Sequence, residues 1–438
     1  MLATCELVAT ASAQTRTLRI VTYNLGADIS GITGPQPGLI APPGDTNSFL
    51  AGGVLEGIGE EIVGNDPAQP LDILALQETT SNPLTVAPIV GALNAFYGVP
   101  GMYSNSAYQA TESGGVTNNG NGPNAIVFNT RMVQLLASVP VDPPGGTSQL
   151  GSASGEYRQV MRYAFAPAGV ATNASNVFYV YVSHYKSGTG TSNMNYRQGE
   201  AQIIRNNSAS LSPTARILYV GDFNTGVAAE AMYVTLVAPG TNQALDPVNP
   251  TGSNSPTWDT NSMLDVKTYS PTGIHYRDDY QMMATNVYYA IPGGLAFVPG
   301  TYHVFGNNGT TPYTNSINSV ANTALNHLAP GATISAAQLF LDLTNASDHL
   351  PVVADYTIPV PAPRITGISR SGTNLVLSVT NGITNALYTM LMSTNLASAL
   401  TNWVAVASNT APGGNFSFTL TNLVNASAPK RFFILRGK

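Results

Sequence analysis

Five short motifs of acidic, amide and histidine residues lie between Asn24 and His349, each at the end of a predicted strand or just after it. Side chains at strand ends project beyond the sheet, so residues distant in sequence can meet in one cleft. The motifs are Thr22-Tyr23-Asn24, Leu76-Gln77-Glu78, Ser183-His184-Tyr185-Lys186, Gly221-Asp222-Phe223-Asn224 and Ser347-Asp348-His349-Leu350-Pro351, and a sixth, Arg277-Asp278-Asp279-Tyr280, begins a strand. Together these residue types have the chemistry to hydrolyse a phosphate ester, because carboxylates hold a cation and histidines move protons.

Asn24, Glu78 and Asp348 form the predicted metal site. Glu78 ends an otherwise apolar strand, where a carboxylate is costly to bury unless it is paired or binds a cation. Carboxylate and amide oxygens are the ligands that Mg²⁺ prefers, with water and substrate oxygens completing its octahedron. We therefore expect Mg²⁺ at this site, with Mn²⁺ or Ca²⁺ as alternatives.

The predicted catalytic residues are His184, Asp222, Asn224, Asp279 and His349. Asp222 can hold and polarise a water, while Asn224 orients that water or the phosphate. Asp279 is the expected partner of His349, fixing its tautomer and raising its basicity. His184 is expected to donate to the phosphate or to protonate the leaving oxygen.

Arg158 and Lys186 are the predicted substrate-binding residues, as counter-charges for the phosphate in the transition state. Each motif alone has a plainer explanation, since an Asp-His pair or a Gly-Asp dipeptide is more often a turn or a surface pair. The occurrence of all five in one chain favours the catalytic interpretation. The histidines outside the motifs, namely His275, His303 and His327, are interpreted as structural or surface residues.

Apolar runs predict the strands that must position these residues. They are 18–23, 72–77, 125–129, 159–165, 177–183, 217–221, 279–284 and 352–356, with helices near 54–63 and 195–211. Buried strands separated by long excursions indicate an α/β domain with two sheets packed face to face. Thr357–Arg364 is Pro-rich and predicts a stiff connector. Short β-patterned runs then predict a small β-sandwich.

The ordered motifs resemble the endonuclease/exonuclease/phosphatase superfamily, which includes deoxyribonucleases, abasic-site endonucleases, neutral sphingomyelinases and inositol polyphosphate 5-phosphatases. The resemblance covers residues 16–357 and implies a four-layer α/β sandwich with Mg²⁺-assisted hydrolysis of a phosphate ester. The resemblance places Asn24, Glu78 and Asp348 at the metal and His184 beside the scissile phosphate. It places Asp222 and Asn224 at the nucleophilic water. His349 takes the acid/base position, with Asp279 behind it.

Two details refine this resemblance. His184 stands where abasic-site endonucleases usually carry a tyrosine, which favours the deoxyribonuclease and sphingomyelinase side of the family. Arg158 resembles the phosphate-contacting arginine of the nucleases.

The C-terminal segment resembles β-sandwich modules of secreted bacterial proteins. The predicted organisation is a catalytic domain over 16–357, a linker over 358–364 and an accessory β-sandwich over 365–438.

Residues 1–15 are predicted to be a signal-peptide remnant, with a disordered tail as the alternative. Met1 to Gln14 is mildly apolar and contains Ala11-Ser12-Ala13, small residues of the kind found at cleavage sites. The single cysteine, Cys5, excludes an intramolecular disulfide. No later segment is apolar enough to span a bilayer. We expect a monomer that is secreted, periplasmic or at the surface of a bacterial cell.

Charged residues make up 9% of the chain and the net charge is -6, so no basic stripe drives nucleic-acid binding. The leading prediction is nevertheless an extracellular endonuclease acting on DNA or RNA. A sphingomyelinase-type phospholipase C is the alternative, in which the apolar stretch of residues 290–305 would form a hairpin that touches a membrane. A non-catalytic binding or adhesion protein ranks third, because the acid and histidine motifs are intact.

Overall fold

The computed structural model describes residues 14–27, 50–64, 68–108, 123–141, 158–225, 229–251, 263–382, 387–411, 414–423 and 430–437. The chain divides into two units. The larger comprises Thr17–Ala166 and Ala174–Ile358, and the smaller is built mainly from Pro359–Lys438. The predicted signal-peptide remnant lies outside the described residues, apart from Gln14 and Thr15, which begin the first strand. Cys5 also lies outside them.

Two mixed sheets form the centre of the larger unit. The first has the strand order β11-β13-β1-β2-β4-β3, with β12 also paired to β13, and the second has the order β5-β6-β7-β8-β10-β9. The first sheet consists of β1 (Gln14–Asn24), β2 (Ile73–Gln77), β3 (Tyr103–Asn105), β4 (Ala125–Asn129), β11 (Ala296–Phe297), β12 (His303–Val304) and β13 (Val352–Val360). The second consists of β5 (Val133–Pro140), β6 (Met161–Pro167), β7 (Phe178–His184), β8 (Arg216–Asp222), β9 (Ala244–Leu245) and β10 (Asp279–Ala284).

The larger unit also contains α-helices. They are α1 (Leu50–Gly59), α2 (Ala87–Phe96), α3 (Thr191–Ala209), α4 (Ala231–Val237), α5 (Thr285–Tyr288) and α6 (Ala336–Ala346). Helices α1, α2 and α6 pack on the first sheet, and α3 and α4 pack on the second. Successive strand residues point to opposite faces, so Ile20 lies between the sheets while Val21 lies under the helices. The predicted four-layer α/β sandwich is confirmed.

The smaller unit is all β. Its two three-stranded antiparallel sheets have the orders β14-β15-β18 and β17-β16-β19 and enclose one apolar core. The strands are β14 (Arg364–Ser371), β15 (Asn374–Gly382), β16 (Leu387–Ser393), β17 (Val404–Thr410), β18 (Gly414–Leu420) and β19 (Phe432–Gly437). The predicted β-sandwich is present, and the Pro-rich connector is shorter than expected, because β13 continues to Val360 and β14 begins at Arg364.

The apolar segment 290–305 contributes to the core of the larger unit. Strands β11 and β12 both pair with β13. Leu295, Phe297, Val304 and Phe305 are buried in that core. These four side chains are therefore not available to contact a membrane, whereas Ile291 at the start of the segment is exposed. No helix in the described part of the chain has the length and apolar character needed to cross a bilayer.

A buried carboxylate, Glu61, links the segment that follows α1 to strand β12 and to a distant loop. Its oxygens lie 2.9 Å from His303 Nε2 and 2.6 Å from His327 Nε2. The other ring nitrogen of His303 lies 2.8 Å from the carbonyl oxygen of Thr301. A carbonyl and an ionised carboxylate only accept hydrogen bonds, so His303 makes both contacts as an imidazolium. His303 and His327 are thus structural, as predicted.

This cluster predicts a stability that depends on pH. Burial and Arg19 lower the pKa of His303, but Glu61 raises it by more, so the net shift is upward. Burial alone would raise the pKa of Glu61, but His303 and His327 hold it at about 2. A histidine whose pKa is raised on folding stabilises the fold below its unfolded pKa of about 6.5, and that stabilisation is lost as the pH rises through the folded value.

We therefore expect the unfolding temperature to fall as the pH is raised from about 6.5 to about 9, and to fall less in His303→Gln. Scanning calorimetry of both proteins across this range measures the effect. At the low end of the range, His303→Gln should be less stable by about 1.5–3 kcal/mol, the contribution of a hydrogen bond to a charged group. Parallel pH profiles for the two proteins would contradict this account.

Candidate active site

The ends of five strands bring the predicted residues together. Asn24 ends β1, and Glu78 directly follows its parallel neighbour β2. His184 ends β7, and it is in register with Asp222 at the end of the parallel strand β8. Asp279 begins the antiparallel strand β10, opposite Asp222. The two sheets thus deliver acid, amide and histidine side chains to one edge of the sandwich.

Gly221 allows β8 to approach β7 beside the site. Its φ is 136°, and a Cβ atom there would lie 2.0 Å from the backbone oxygen of Ser183. No other residue fits this position without displacing a backbone that belongs to the neighbouring strand. Glu78 and Asn224 also have positive φ values, 53° and 49°. Such strained backbone is concentrated at functional sites, where the surrounding fold maintains it.

Two carboxylates share one amide group at the centre of the site. Asn24 Nδ2 donates to Glu78 Oε1 at 3.1 Å and to Asp222 Oδ2 at 2.9 Å. Burial raises the pKa of Glu78 to about 7, and the charge of Asp222 adds to this effect. Burial likewise raises the pKa of Asp222, with Asp279 contributing in the same direction. Both carboxylates are held where their negative charge is unfavourable, unless a cation offsets it.

The carboxylates belong to two overlapping groups that could hold a metal ion. One consists of Glu78, His184 and Asp222, and the other of Asp222, Asp279 and His349; in each, the ligand atoms lie within 4.8 Å of one another. Asp222 is common to both. Oxygen ligands from Glu78 and Asp222 fit Mg²⁺ or Mn²⁺, and the histidine nitrogens add donors that also suit Mn²⁺. The donor set therefore fits the predicted divalent cation.

His349 and Asp279 form a buried pair. His349 Nδ1 lies 2.7 Å from Asp279 Oδ2. The other nitrogen, Nε2, lies 3.8 Å from Asp222 Oδ2. Burial lowers the pKa of His349, but Asp279 and Asp222 raise it by more, so the net value is well above that of an ordinary histidine. The ring is therefore fixed by one carboxylate and directs a protonated nitrogen toward the other.

Arg158 lies under the site. Its Nη1 contacts His184 Nε2 and donates to the Tyr185 backbone oxygen at 2.8 Å, and its Nη2 donates to Ser187 Oγ at 3.1 Å. His184 Nε2 also lies 3.3 Å from Glu78 Oε1 and 3.6 Å from Asp222 Oδ2, so the same nitrogen faces the guanidinium and both carboxylates. Arg158 is buried, and it balances the carboxylates from below.

Three predicted residues take positions that the sequence did not anticipate. Asn24 turns its amide nitrogen toward the carboxylates, while its oxygen accepts from the N–H of Gly26 at 2.9 Å. Asp348 lies on the rim with its side chain 46% exposed, and its Oδ1 is 3.9 Å from His349 Nε2. Lys186 is also on the rim and half-buried. Of the two predicted acidic metal ligands, Glu78 belongs to the first ligand group and Asp348 belongs to neither.

Helix α3 supplies two buried residues that sequence reasoning missed. Glu200 accepts from the backbone N–H of Arg158 at 2.7 Å and of Lys186 at 3.0 Å. Arg197, one turn earlier, donates to the backbone oxygens of Lys186 and Gly188 and pairs with Glu230. Charged residues three apart on the buried face of a predicted helix were the available signal. Asp278 belongs to the sixth motif but had no predicted role, and it is buried near Asp222.

No protein-family profile and no curated protein matches the chain. Several solved structures, however, match the chain. The human Nocturnin catalytic domain with bound sulfate is 15% identical, covers 79% of this chain and 97% of its own, and has a TM-score of 0.45. D. rerio TDP2 complexed with a single-strand DNA product is 12% identical, with coverages of 78% and 98% and a TM-score of 0.41.

An endonuclease/exonuclease/phosphatase from Beutenbergia cavernae DSM 12333 is 13% identical, covers 97% of this chain and 99% of its own, and has a TM-score of 0.40. Structures of the endonuclease/exonuclease/phosphatase family are thus similar to this chain. These are the proteins that the sequence motifs resemble. Because each TM-score is below 0.5, the functional proposal rests on the geometry of the site.

The role of Glu200 predicts a local effect of its removal. In Glu200→Gln, the amide N–H of either Arg158 or Lys186 loses its acceptor and faces an NH₂ group instead. We expect that amide to exchange its hydrogen faster and the protein to lose about 1–3 kcal/mol of stability. Hydrogen-exchange mass spectrometry of the peptides containing these residues measures the effect. Gln202→Ala, at an exposed position of the same helix, should change neither, and equal exchange in both variants would refute the assignment.

Proposed function

We propose that the larger unit is a divalent-cation-dependent phosphodiesterase, and specifically a secreted endonuclease that cleaves DNA or RNA. One observation carries the proposal: Glu78 and Asp222 converge on a single amide group of Asn24, and the His349–Asp279 pair opens onto Asp222. Buried carboxylates in this number serve a cation, and a histidine aimed at one of them serves proton transfer.

Glu78 and Asp222 would hold the cation, with Asp348 approaching from the rim. A bound Mg²⁺ or Mn²⁺ supplies positive charge that neutralises the phosphate and lowers the barrier to attack by water. Ca²⁺, which takes more oxygen ligands, is the alternative. Asn24 maintains the approach of the two carboxylates through its shared N–H donors.

The residues of the chain divide the proton transfers between them. Asp222 accepts a proton from the attacking water while the oxygen atom of that water bonds to phosphorus. His349 Nε2 donates a proton to the leaving oxygen while the bond between that oxygen and phosphorus breaks. Asp279 holds the His349 ring through Nδ1. Asn224, fixed by donation from its backbone N–H to Asp222 Oδ1 at 2.8 Å, orients the water or the phosphate. Arg158 and Lys186 supply positive charge near the phosphate.

A nucleic acid is favoured over a lipid as substrate, because Ile291 is exposed but four other large apolar side chains of segment 290–305 are in the core, namely Leu295, Phe297, Val304 and Phe305. A sphingomyelinase-type phospholipase C therefore remains the second candidate. A binding or adhesion role ranks last, since it gives no reason to bury Glu78 and Asp222 together. The proposal includes a monomer exported from a bacterial cell, which the small residues near position 12 and the C-terminal β-sandwich support.

The test compares the wild-type protein with His349→Ala on plasmid DNA, RNA, sphingomyelin and bis(p-nitrophenyl) phosphate. Each reaction contains Mg²⁺, Mn²⁺ or Ca²⁺, or excess EDTA. We expect cation-dependent cleavage of nucleic acid that falls roughly 10²–10⁴-fold in His349→Ala, the contribution of a general acid. His327→Ala, a histidine outside the site, should retain activity. If the wild-type protein hydrolyses none of these with any cation, the enzymatic proposal fails.

A further inference from the structure

Three aromatic side chains extend outward from the catalytic histidine. The ring of Tyr269 lies 5.1 Å from the ring of His349, measured between centroids. Tyr276 lies 6.3 Å beyond Tyr269, with the two rings within 26° of parallel, and His275 packs 4.2 Å from Tyr276. Tyr276 is 41% exposed and so offers part of its ring to a ligand. We refer to Tyr269, His275 and Tyr276 as the aromatic row.

The aromatic row is held rigidly by a hairpin that directly precedes β10. The N–H of Tyr276 donates to the backbone oxygen of Tyr269 at 2.9 Å, and the N–H of Tyr269 donates back at 3.1 Å. The N–H of Leu350 donates to the Thr268 oxygen at 2.9 Å, which ties the hairpin to the segment that carries His349. Thr268 Oγ1 also accepts from the N–H of Asp279 at 3.1 Å. The rings therefore keep a fixed position relative to the catalytic residues.

We propose that the aromatic row is a subsite that stacks an unpaired nucleobase next to the scissile phosphate. This inference rests on the proposed function and names its substrate class: single-stranded nucleic acid, or a strand with an unpaired base at the cleavage position. Stacking requires an open π-face on the base, which a single strand offers and a duplex does not. A rigid, partly exposed tyrosine beside the reacting groups provides the matching face.

The charge of the protein supports stacking as the source of affinity. The chain has 17 Lys and Arg residues against 23 Asp and Glu residues. Arg158, the arginine nearest to the carboxylates, is buried beneath the site. Phosphate contacts can therefore supply only part of the binding energy, whereas stacking on an aromatic ring depends little on the sequence or the charge of the strand.

A choline headgroup is the competing ligand, because a quaternary ammonium also binds aromatic rings. Such cations are usually held in a cage of converging rings, whereas Tyr269 and Tyr276 are nearly parallel. The third ring is an imidazole, His275, which would repel a cation when protonated. The geometry thus favours a flat base over an ammonium group.

The test measures kcat/KM for three substrates in the presence of Mn²⁺ or Mg²⁺. They are a single-stranded oligonucleotide, the same strand with tetrahydrofuran in place of the nucleosides, and p-nitrophenyl phosphocholine. The proteins are the wild type, Tyr276→Ala, Tyr276→Phe and Tyr289→Ala, the last being a control at another exposed tyrosine. Thermal unfolding of each variant verifies that it is folded.

We expect the wild-type protein to prefer the base-containing strand by about 5- to 100-fold, the range that one stacked base contributes. Tyr276→Ala should lose that preference through a higher KM and cleave the base-free strand as before, while Tyr276→Phe and Tyr289→Ala behave as wild type. Equal use of both strands by the wild type, or an equal loss on both in Tyr276→Ala, overturns the subsite while phosphodiesterase activity stands.

Selective loss of phosphocholine hydrolysis in Tyr276→Ala would also overturn the nucleobase assignment, in favour of a choline site. If the wild-type protein cleaves none of the three substrates, the phosphodiesterase proposal itself fails and the subsite fails with it. The outcomes for the subsite and for the underlying activity are therefore distinguishable.

Discussion

The amide nitrogen of Asn24 donates to Glu78 and Asp222 at the same time, and so keeps the partly buried carboxylate of Glu78 within reach of the buried carboxylate of Asp222. Left to themselves, these groups would separate or take up protons, because burial and mutual repulsion both disfavour their charged forms. The fold prevents separation by placing each at the end of a different central strand. Gly221 allows the close contact between β7 and β8, and the positive φ of Glu78 sets its direction.

Around Glu78 and Asp222, further residues of the larger unit support the site. Asp279 fixes His349 from one side, and Arg158 lies beneath His184 from the other. Behind Arg158, Glu200 on α3 holds the backbone of both predicted phosphate-binding residues. Each support is itself a buried polar group with identified partners, as expected where geometry must be maintained precisely enough for chemistry. The smaller unit, in its described residues, contributes no member of either candidate metal-ligand group.

Much of this arrangement was predictable from the sequence. Strands β4 and β10 have the predicted bounds, and both are fully buried. The motifs lie at the edge where parallel strands end. Helix α6 was missed, although Ser335 and Gln338 have the spacing of a capping box and the N–H of Gln338 does donate to Ser335 Oγ. The short strands β11 and β12 have two residues each, which is too few for a pattern to reveal.

Other features depend on contacts that no local pattern contains. The orientation of the Asn24 amide is decided by the N–H of Gly26, and His184 is surrounded by Arg158, Glu78 and Asp222, which come from three other parts of the chain. The exposure of Asp348 follows from its place before β13 on the rim. Glu200 acts on residues 14 and 42 positions away, so its role emerges only when the helix is packed on the sheet. The roles of the site residues remain predictions supported by this geometry.

The central claim is that Glu78 is held in an unfavourable environment for the sake of a divalent cation. Scanning calorimetry of wild type, Glu78→Gln and Glu56→Gln, each in EDTA and in Mg²⁺ or Mn²⁺, tests it directly. Glu56 is a suitable control. Burial and its neighbours Glu60 and Asp342 raise its pKa to about 7, as for Glu78, but it lies on α1 outside the site.

Both variants should unfold at a higher temperature than the wild type in EDTA at a pH of about 8, since each removes a disfavoured charge. The cation should then stabilise wild type and Glu56→Gln but not Glu78→Gln. A cation that leaves the wild type unchanged, or stabilises Glu78→Gln equally, would contradict the account.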